Sequence, residues 1–244
     1  VLPTTVGTGS EVTNVAICEM IERKTKKGLA DDLIYPDKTA LIPELVKTLP
    51  YKFFATSSID ALIHSIESFV SPNATYYSRI FSKEAMTIIL GCYKKVVSGE
   101  NWNKYAKDFL YASNLAGIAF NNAGCGAVHA LSYPLGGTYH IPHGEANMLM
   151  FEAVFKKYRE KDPSGKINDL YLILSDVLGC DESSALDEMF KILDLILKRN
   201  PLNIYGVKKE ELAVFAKSVV QNQGRLLANN YTSLSEDEML EIYE

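Results

Sequence analysis

The sequence predicts a mainly helical fold preceded by a short β-rich stretch. Two observations carry the prediction. From Phe53 onward, apolar residues recur with the 3.6-residue period of helices that bury one face. Before that point, residues 1–45 show β-branched runs broken by glycine and by a charged turn. The length of 244 residues allows one large domain or two small ones with a sizeable core. The change of period near residue 45 sets the expected division: 1–45 β-rich, 46–244 helical.

In chain order, "NVAICEMI" (14–21) and "DKTALIP" (37–43) read as short strands, with "ERKTKKG" (22–28) as a connection. "FFATSSIDALIHSIESFV" (53–70) is the first helix, with Ser and Thr near its start. "YYSRIFSKEAMTIILGCYKKVV" (76–97) is the second and ends at Ser98-Gly99. "WNKYAKDFLYASNLAGIAFNNA" (102–123) is the third, stopped by Gly124. Shorter helices are expected near 126–133 and 144–158. Four more follow at 167–179, 183–199, 208–223 and 235–243. The last opens Ser235-x-x-Glu238, a capping box that satisfies orphan N–H groups of the first turn. No repeat or low-complexity segment stands out.

Composition narrows the function. Hydrophobic residues make up 47% and charged residues 23%, ordinary for a soluble globular protein. The net charge of −5 argues against nucleic-acid binding, which needs a basic face. No apolar run reaches the length of a membrane span. The start, "VLPTTVGTGSEV", lacks a basic region followed by an apolar stretch, so no signal peptide is expected. It begins with Val1 inside what reads as a strand and turn, which suggests a piece of a longer protein. Cys18, Cys92, Cys125 and Cys180 form no CxxC pair, and so few in a chain this long point to a reducing cytoplasm.

Three of the four histidines fall in "HALSYPLGGTYHIPHGEAN" (129–147). Upstream, Asp60 and His64 stand four apart in a helical run, so their side chains share one face. Such a pair either holds a cation or is an ordinary polar pair on a helix. Pro142 and Gly144 favour a turn that aims His143 at the space near His129. One carboxylate and neutral imidazoles suit a first-row divalent ion such as Fe²⁺ or Zn²⁺. Spacing alone leaves the choice between a metal site and a structural role open, and His140 is the odd one out. The glycine-rich "TTVGTGSEV" is either a phosphate contact or a tight turn with a capping serine, and matches neither a P-loop nor a GxGxxG.

At this point the sequence resembles a known family, the iron-containing (group III) alcohol dehydrogenases. "PTTVGTGSEVT" resembles its PTTxGTGSE signature, and "IDALIHSIESFVSPNA" its DALxHAIE segment. "ASNLAGIAFNNAGCGAVHALSYPLGGTYHIPHGEAN" resembles its long second signature, and "TSLSEDEMLEIYE" its C-terminal segment. The stretch 129–145 is most similar to the 4-hydroxybutyrate dehydrogenase branch. The resemblance implies a helical metal-binding domain of dehydroquinate synthase-like fold. Residues 1–45 would be the end of an α/β nucleotide-binding domain whose GGGSxxD loop this chain does not contain. It implies Asp60, His64, His129 and His143 as ligands of Fe²⁺ or Zn²⁺, with NAD as cofactor. Thr4, Thr5 and Gly7 become candidate cofactor contacts. The implied reaction is hydride transfer between a primary alcohol and NAD, favouring 4-hydroxybutyrate and succinate semialdehyde. A broader alcohol or 1,3-propanediol dehydrogenase is the alternative, and a non-catalytic helical metal-binding or interaction domain the alternative of another class. The resemblance also implies a homo-oligomer without membrane or nucleic-acid partners. Two departures stand out. Tyr133 occupies a position where many members carry a histidine assigned to proton relay, so Tyr133 or His140 becomes the candidate relay. "TALIPEL" replaces a usual Asp-Pro pair.

Overall fold

A computed structural model of the chain describes residues 1–23 and 25–244, without the side chains of Glu19, Arg23 and Thr25. A two-stranded antiparallel hairpin, β1 (Val15–Met20) and β2 (Thr25–Ala30), is followed by helices to the C-terminus. These are α1 (Pro43–Val46), α2 (Tyr51–Val70), α3 (Tyr76–Val97), α4 (Ala106–Ala123) and α5 (Ala127–Tyr139). Then come α6 (His143–Lys161), α7 (Gly165–Leu178), α8 (Ala185–Ile196), α9 (Lys209–Asn222), α10 (Gly224–Leu227) and α11 (Glu236–Tyr243). The mainly helical prediction holds. Among the described residues, no helix is long and apolar enough to cross a membrane.

Helix α2 is the axis of the fold. From Phe54 to Val70 every residue but Ser57 is buried, and α3, α4, α6 and α7 pack around it. Its polar stripe, Asp60, His64 and Glu67, is buried along with its apolar face, which places that span of the helix in the interior. Burying Phe54, Ile59, Leu62, Ile63 and Ile66 contributes about 1.5–3 kcal/mol each. Its buried hydroxyls are paired: Ser58 accepts from the Tyr93 hydroxyl at 2.7 Å, and Ser68 meets Ser82 at 2.9 Å. Helix starts and stops follow local chemistry. Thr75 and Ser235 close capping boxes at α3 and α11, and Gly124, at φ 79°, ends α4.

Three expectations are corrected. The segment 37–43 is not a strand. It carries no regular structure up to Ile42 and enters α1 at Pro43; Val1 exchanges two hydrogen bonds with it, to Lys38 O and from Ala40 N, but no ladder forms. The second strand is instead Thr25–Ala30, which overlaps the expected connection 22–28, of which Lys24 lies outside the described residues. Its lysines mask the alternation that marks a strand, and β1 supplies its ladder. Helix α5 does not stop at 133: it runs through Pro134 to Tyr139. Proline cannot donate to Ala130 O four residues back, but Leu131, Tyr133 and Leu135 around it are buried, and the Tyr243 hydroxyl donates to the next carbonyl, Leu131 O, at 2.5 Å.

Candidate metal centre

Three helices deliver the four expected ligands to one place. Asp60 and His64 lie one turn apart on α2, His129 is in the first turn of α5, and His143 is the first residue of α6. The approach of α6 depends on Gly144. A Cβ at that position would stand 1.9 Å from the carbonyl oxygen of Thr56, so only glycine lets the end of α6 rest on the backbone of α2. That contact sets His143 beside Asp60.

Asp60 Oδ1 lies 3.9, 3.6 and 3.7 Å from Nε2 of His64, His129 and His143. A tetrahedral site with bonds of about 2.1 Å has edges of about 3.4 Å, so the donors stand close to coordination spacing. Asp60, His129 and His143 offer ligand atoms all within 4.8 Å of one another; His64, Cys125 and His129 form a second such trio. The rings are held by their outer nitrogens. His129 Nδ1 pairs with Glu67 Oε2 at 2.5 Å, and His64 Nδ1 meets Gly7 O at 3.2 Å. Glu67 also accepts from Val128 N at 2.8 Å. A carboxylate or carbonyl behind an imidazole, leaving Nε2 free to donate its lone pair, is the usual setting of a metal-bound histidine. The donor set therefore fits a divalent ion.

Charge agrees with that fit at Asp60, His64 and His143. Burial pushes the Asp60 carboxyl up, but the attraction of His64, His143 and His129 outweighs it and holds the group below the usual carboxylate range. Burial pulls His64 down to about 4 and His143 to about 3, so both are neutral near pH 7. His129 moves up: burial opposes its charged form, but Cys125, Asp60 and Glu67 outweigh it. Asn147, one turn along α6 from His143, places Nδ2 at 2.8 Å from Asp60 Oδ1, 3.1 Å from His129 Nε2 and 3.3 Å from His143 Nε2. Its amide caps the triangle of those three donors. Its Oδ1 is buried without a hydrogen-bond partner among the described residues.

The cluster is the floor of a cavity whose walls include Thr8, Ser10, Asn14, Lys26, Tyr133 and Arg225. Tyr133 is buried, with its ring centroid 6.0 Å from that of His143. Burial raises its phenol pKa, so it stays protonated at neutral pH. His140 is exposed, at φ 52° in the cap of α5, and is not among the lining residues. Thr4 and Thr5 also lie off the lining, and Gly7 reaches the centre only through its carbonyl to His64. Thr8 and Ser10 of the same loop line the cavity instead. Sequence reasoning missed Glu67, Cys125, Asn147 and Arg225. Two of them carried a signal: Glu67 follows His64 by three residues and Asn147 follows His143 by four, the spacing of a shared helix face.

The model of the Fe-containing alcohol dehydrogenase family, C-terminal part, matches residues 54–244. A 4-hydroxybutyrate dehydrogenase of Clostridium kluyveri is 53% identical, the match covering 100% of this chain and 66% of that protein. A sulfoacetaldehyde reductase of Bilophila wadsworthia is 32% identical over 100% of this chain and 64% of its own length. The crystal structure of a 1,3-propanediol oxidoreductase superposes with a TM-score of 0.85 at 28% identity, over 99% of this chain and 64% of that one. The chain thus spans about two thirds of the length of the relatives it matches.

Proposed function

The chain belongs to the Fe-containing alcohol dehydrogenase family, and from that premise we propose that it holds the metal-binding part of an NAD-linked dehydrogenase. Its favoured substrate pair is 4-hydroxybutyrate and succinate semialdehyde, supported by the 53% identity to a 4-hydroxybutyrate dehydrogenase. The observation that carries the reading is the convergence of Asp60, His64, His129 and His143 on the floor of one cavity. Residues 1–45 then close one side of a cofactor cleft, and 46–244 form the catalytic helical domain.

A divalent ion held by these four residues would supply Lewis-acid stabilisation of charge on the substrate oxygen, and NAD the hydride acceptor. The chain's own residues do the rest. Asp60 brings the one negative charge of the set, and Glu67 holds His129 as the Nδ1–H tautomer. Thr8 and Ser10 offer hydroxyl donors to the cofactor from the loop that carries Thr4, Thr5 and Gly7. Alcohol oxidation sends a hydride to NAD and a proton to solvent. We assign the inner step of the proton path to Tyr133, whose protonated phenol passes a proton along a hydrogen-bond chain rather than acting as a base. His140, outside the lining, is placed at most at the solvent end of that path.

The test is NADH formation from 4-hydroxybutyrate, with 1,3-propanediol beside it, together with metal content by elemental analysis. Asp60→Ala and His143→Ala should lose metal and abolish oxidation while the helical circular dichroism stays unchanged. Full activity in Asp60→Ala would sink the reading. A preference for 1,3-propanediol would move it to the broader alcohol class. Tyr133→Phe should slow oxidation and change its pH profile; an unchanged profile removes Tyr133 from the proton path.

A further inference from the structure

The cavity above the metal centre has an uneven distribution of charge. Among its described lining residues, the one acid is Asp60, already engaged by three imidazoles, and the cations are Lys26 and Arg225. Arg225 stands apart from the other described arginines. Arg79 pairs with Asp169, Arg199 with Asp194 and Glu152, and Arg159 stacks over Tyr171 at 3.8 Å. Arg225 has no carboxylate, carbonyl or ring partner among the described residues.

Its position is nonetheless built. A Cβ on Gly28 would stand 2.5 Å from Arg225 Nη2 and 3.2 Å from Ile17 Cδ1, so the guanidinium lies over bare backbone in the middle of β2. Any other residue at 28 would push it away. Gln223, two residues earlier, donates from Nε2 to Lys26 O at 3.1 Å and ties the start of α10 to the same strand. Lys26 and Gly28 are two apart on β2 and share a face. The positive charge of Arg225 acts on the Tyr133 phenol, lowering a pKa that burial raises. Tyr133 in turn lies one turn along α5 from His129 and beside His143. Imidazoles, phenol and guanidinium all line one cavity, together with the apolar Ile17 and Leu226.

We propose that Arg225 is the anchor for the far end of the substrate, and that this site takes short aliphatic alcohols and aldehydes that end in a carboxylate. The inference rests on the dehydrogenase reading and extends it to one residue. A guanidinium matches a carboxylate with two parallel hydrogen bonds, and a cation left without a protein partner keeps its donors for a ligand. With the hydroxyl at the imidazoles and the carboxylate at Arg225, the carbon chain lies along Ile17, Tyr133 and Leu226. Lys26, on the same strand face, adds to the field that draws in the anion. A diphosphate group of the cofactor shares this anionic chemistry, and the experiment separates the two.

The substrates to compare are 4-hydroxybutyrate and 1,4-butanediol, which differ only in a carboxylate replaced by CH₂OH. Steady-state kinetics and NADH dissociation constants are measured on the full-length, metal-loaded enzyme as wild type, Arg225→Gln and Arg225→Lys. A hydrogen-bonded charge is worth about 1.5–3 kcal/mol, so Arg225→Gln should lower the kcat/KM ratio of 4-hydroxybutyrate to butanediol about tenfold to a hundredfold, mainly through KM. Arg225→Lys should recover part of the loss. An unchanged ratio overturns the proposal. So does an equal loss for both alcohols with weaker NADH binding, which would assign Arg225 to the cofactor. If the wild type oxidises neither alcohol, the dehydrogenase reading fails, and calorimetry still judges the anchor. Tighter binding of 4-hydroxybutyrate than of butanediol, lost in Arg225→Gln, supports it; equal binding overturns it.

Discussion

Removing the carboxylate of Glu67 should weaken the proposed metal centre, although Glu67 lies outside its proposed ligand set. Its two oxygens accept from Val128 N at 2.8 Å and pair with His129 Nδ1 at 2.5 Å, and the side chain is buried. In Glu67→Ala both donors lose their partner in a dry setting. An unsatisfied buried donor costs about 1–3 kcal/mol, so two predict a loss of about 2–6 kcal/mol in unfolding free energy. The ring of His129 also loses the contact that fixes its tautomer, and changes behind a metal-bound histidine cost about tenfold to a hundredfold in metal affinity. Glu67→Gln keeps one acceptor oxygen and should fall between wild type and alanine. Urea unfolding under chelation gives the stability term, and competition against a chelator of known affinity gives the metal term. Wild-type metal affinity in a folded Glu67→Ala protein would refute the reasoning, because it would show that His129 is oriented without Glu67.

Gly144→Ala should lower Tm and weaken metal binding together, since its Cβ meets Thr56 O at 1.9 Å and α6 must move away with His143; overpacking of this kind costs about 1–3 kcal/mol, and an unchanged Tm would refute the close approach. Metal-free protein should lose stability as pH falls below about 6.5. His64 and His143, held by burial near about 4 and about 3, are neutral when folded but take up protons when unfolded, so their contribution is full above the unfolded value and drains as pH drops through the folded ones. The raised pKa of His129 acts the other way, but its contribution is already complete below the unfolded value and adds no slope there. Urea midpoints in chelator at pH 7 and pH 5 decide: an equal or higher midpoint at pH 5 would contradict the lowered pKa values of these two rings.

The sequence alone determined most of the helices, because helical periodicity, capping residues and glycine stops are local. Helix α3 ends where Ser98-Gly99 marks it, and the Ser235 box opens α11 as read. The pairing of Asp60 with His64 was legible for the same reason, since four residues on a helix fix two side chains on one face. Strands were less legible, because a strand is defined by its neighbour. Residues 37–43 have strand-like residues but no ladder, while Thr25–Ala30 has lysines and a partner. What decided the site was contact between residues far apart in the chain. Glu67 reaches His129 across 62 positions, Asn147 reaches Asp60 across 87, and Arg225 lies against Gly28. Spacing puts Glu67 on the helix face of His64, but no local rule shows that it is buried against His129, or ranks Arg225 above the other arginines. Burial and the neighbour each one meets select them, and both are properties of the packed chain.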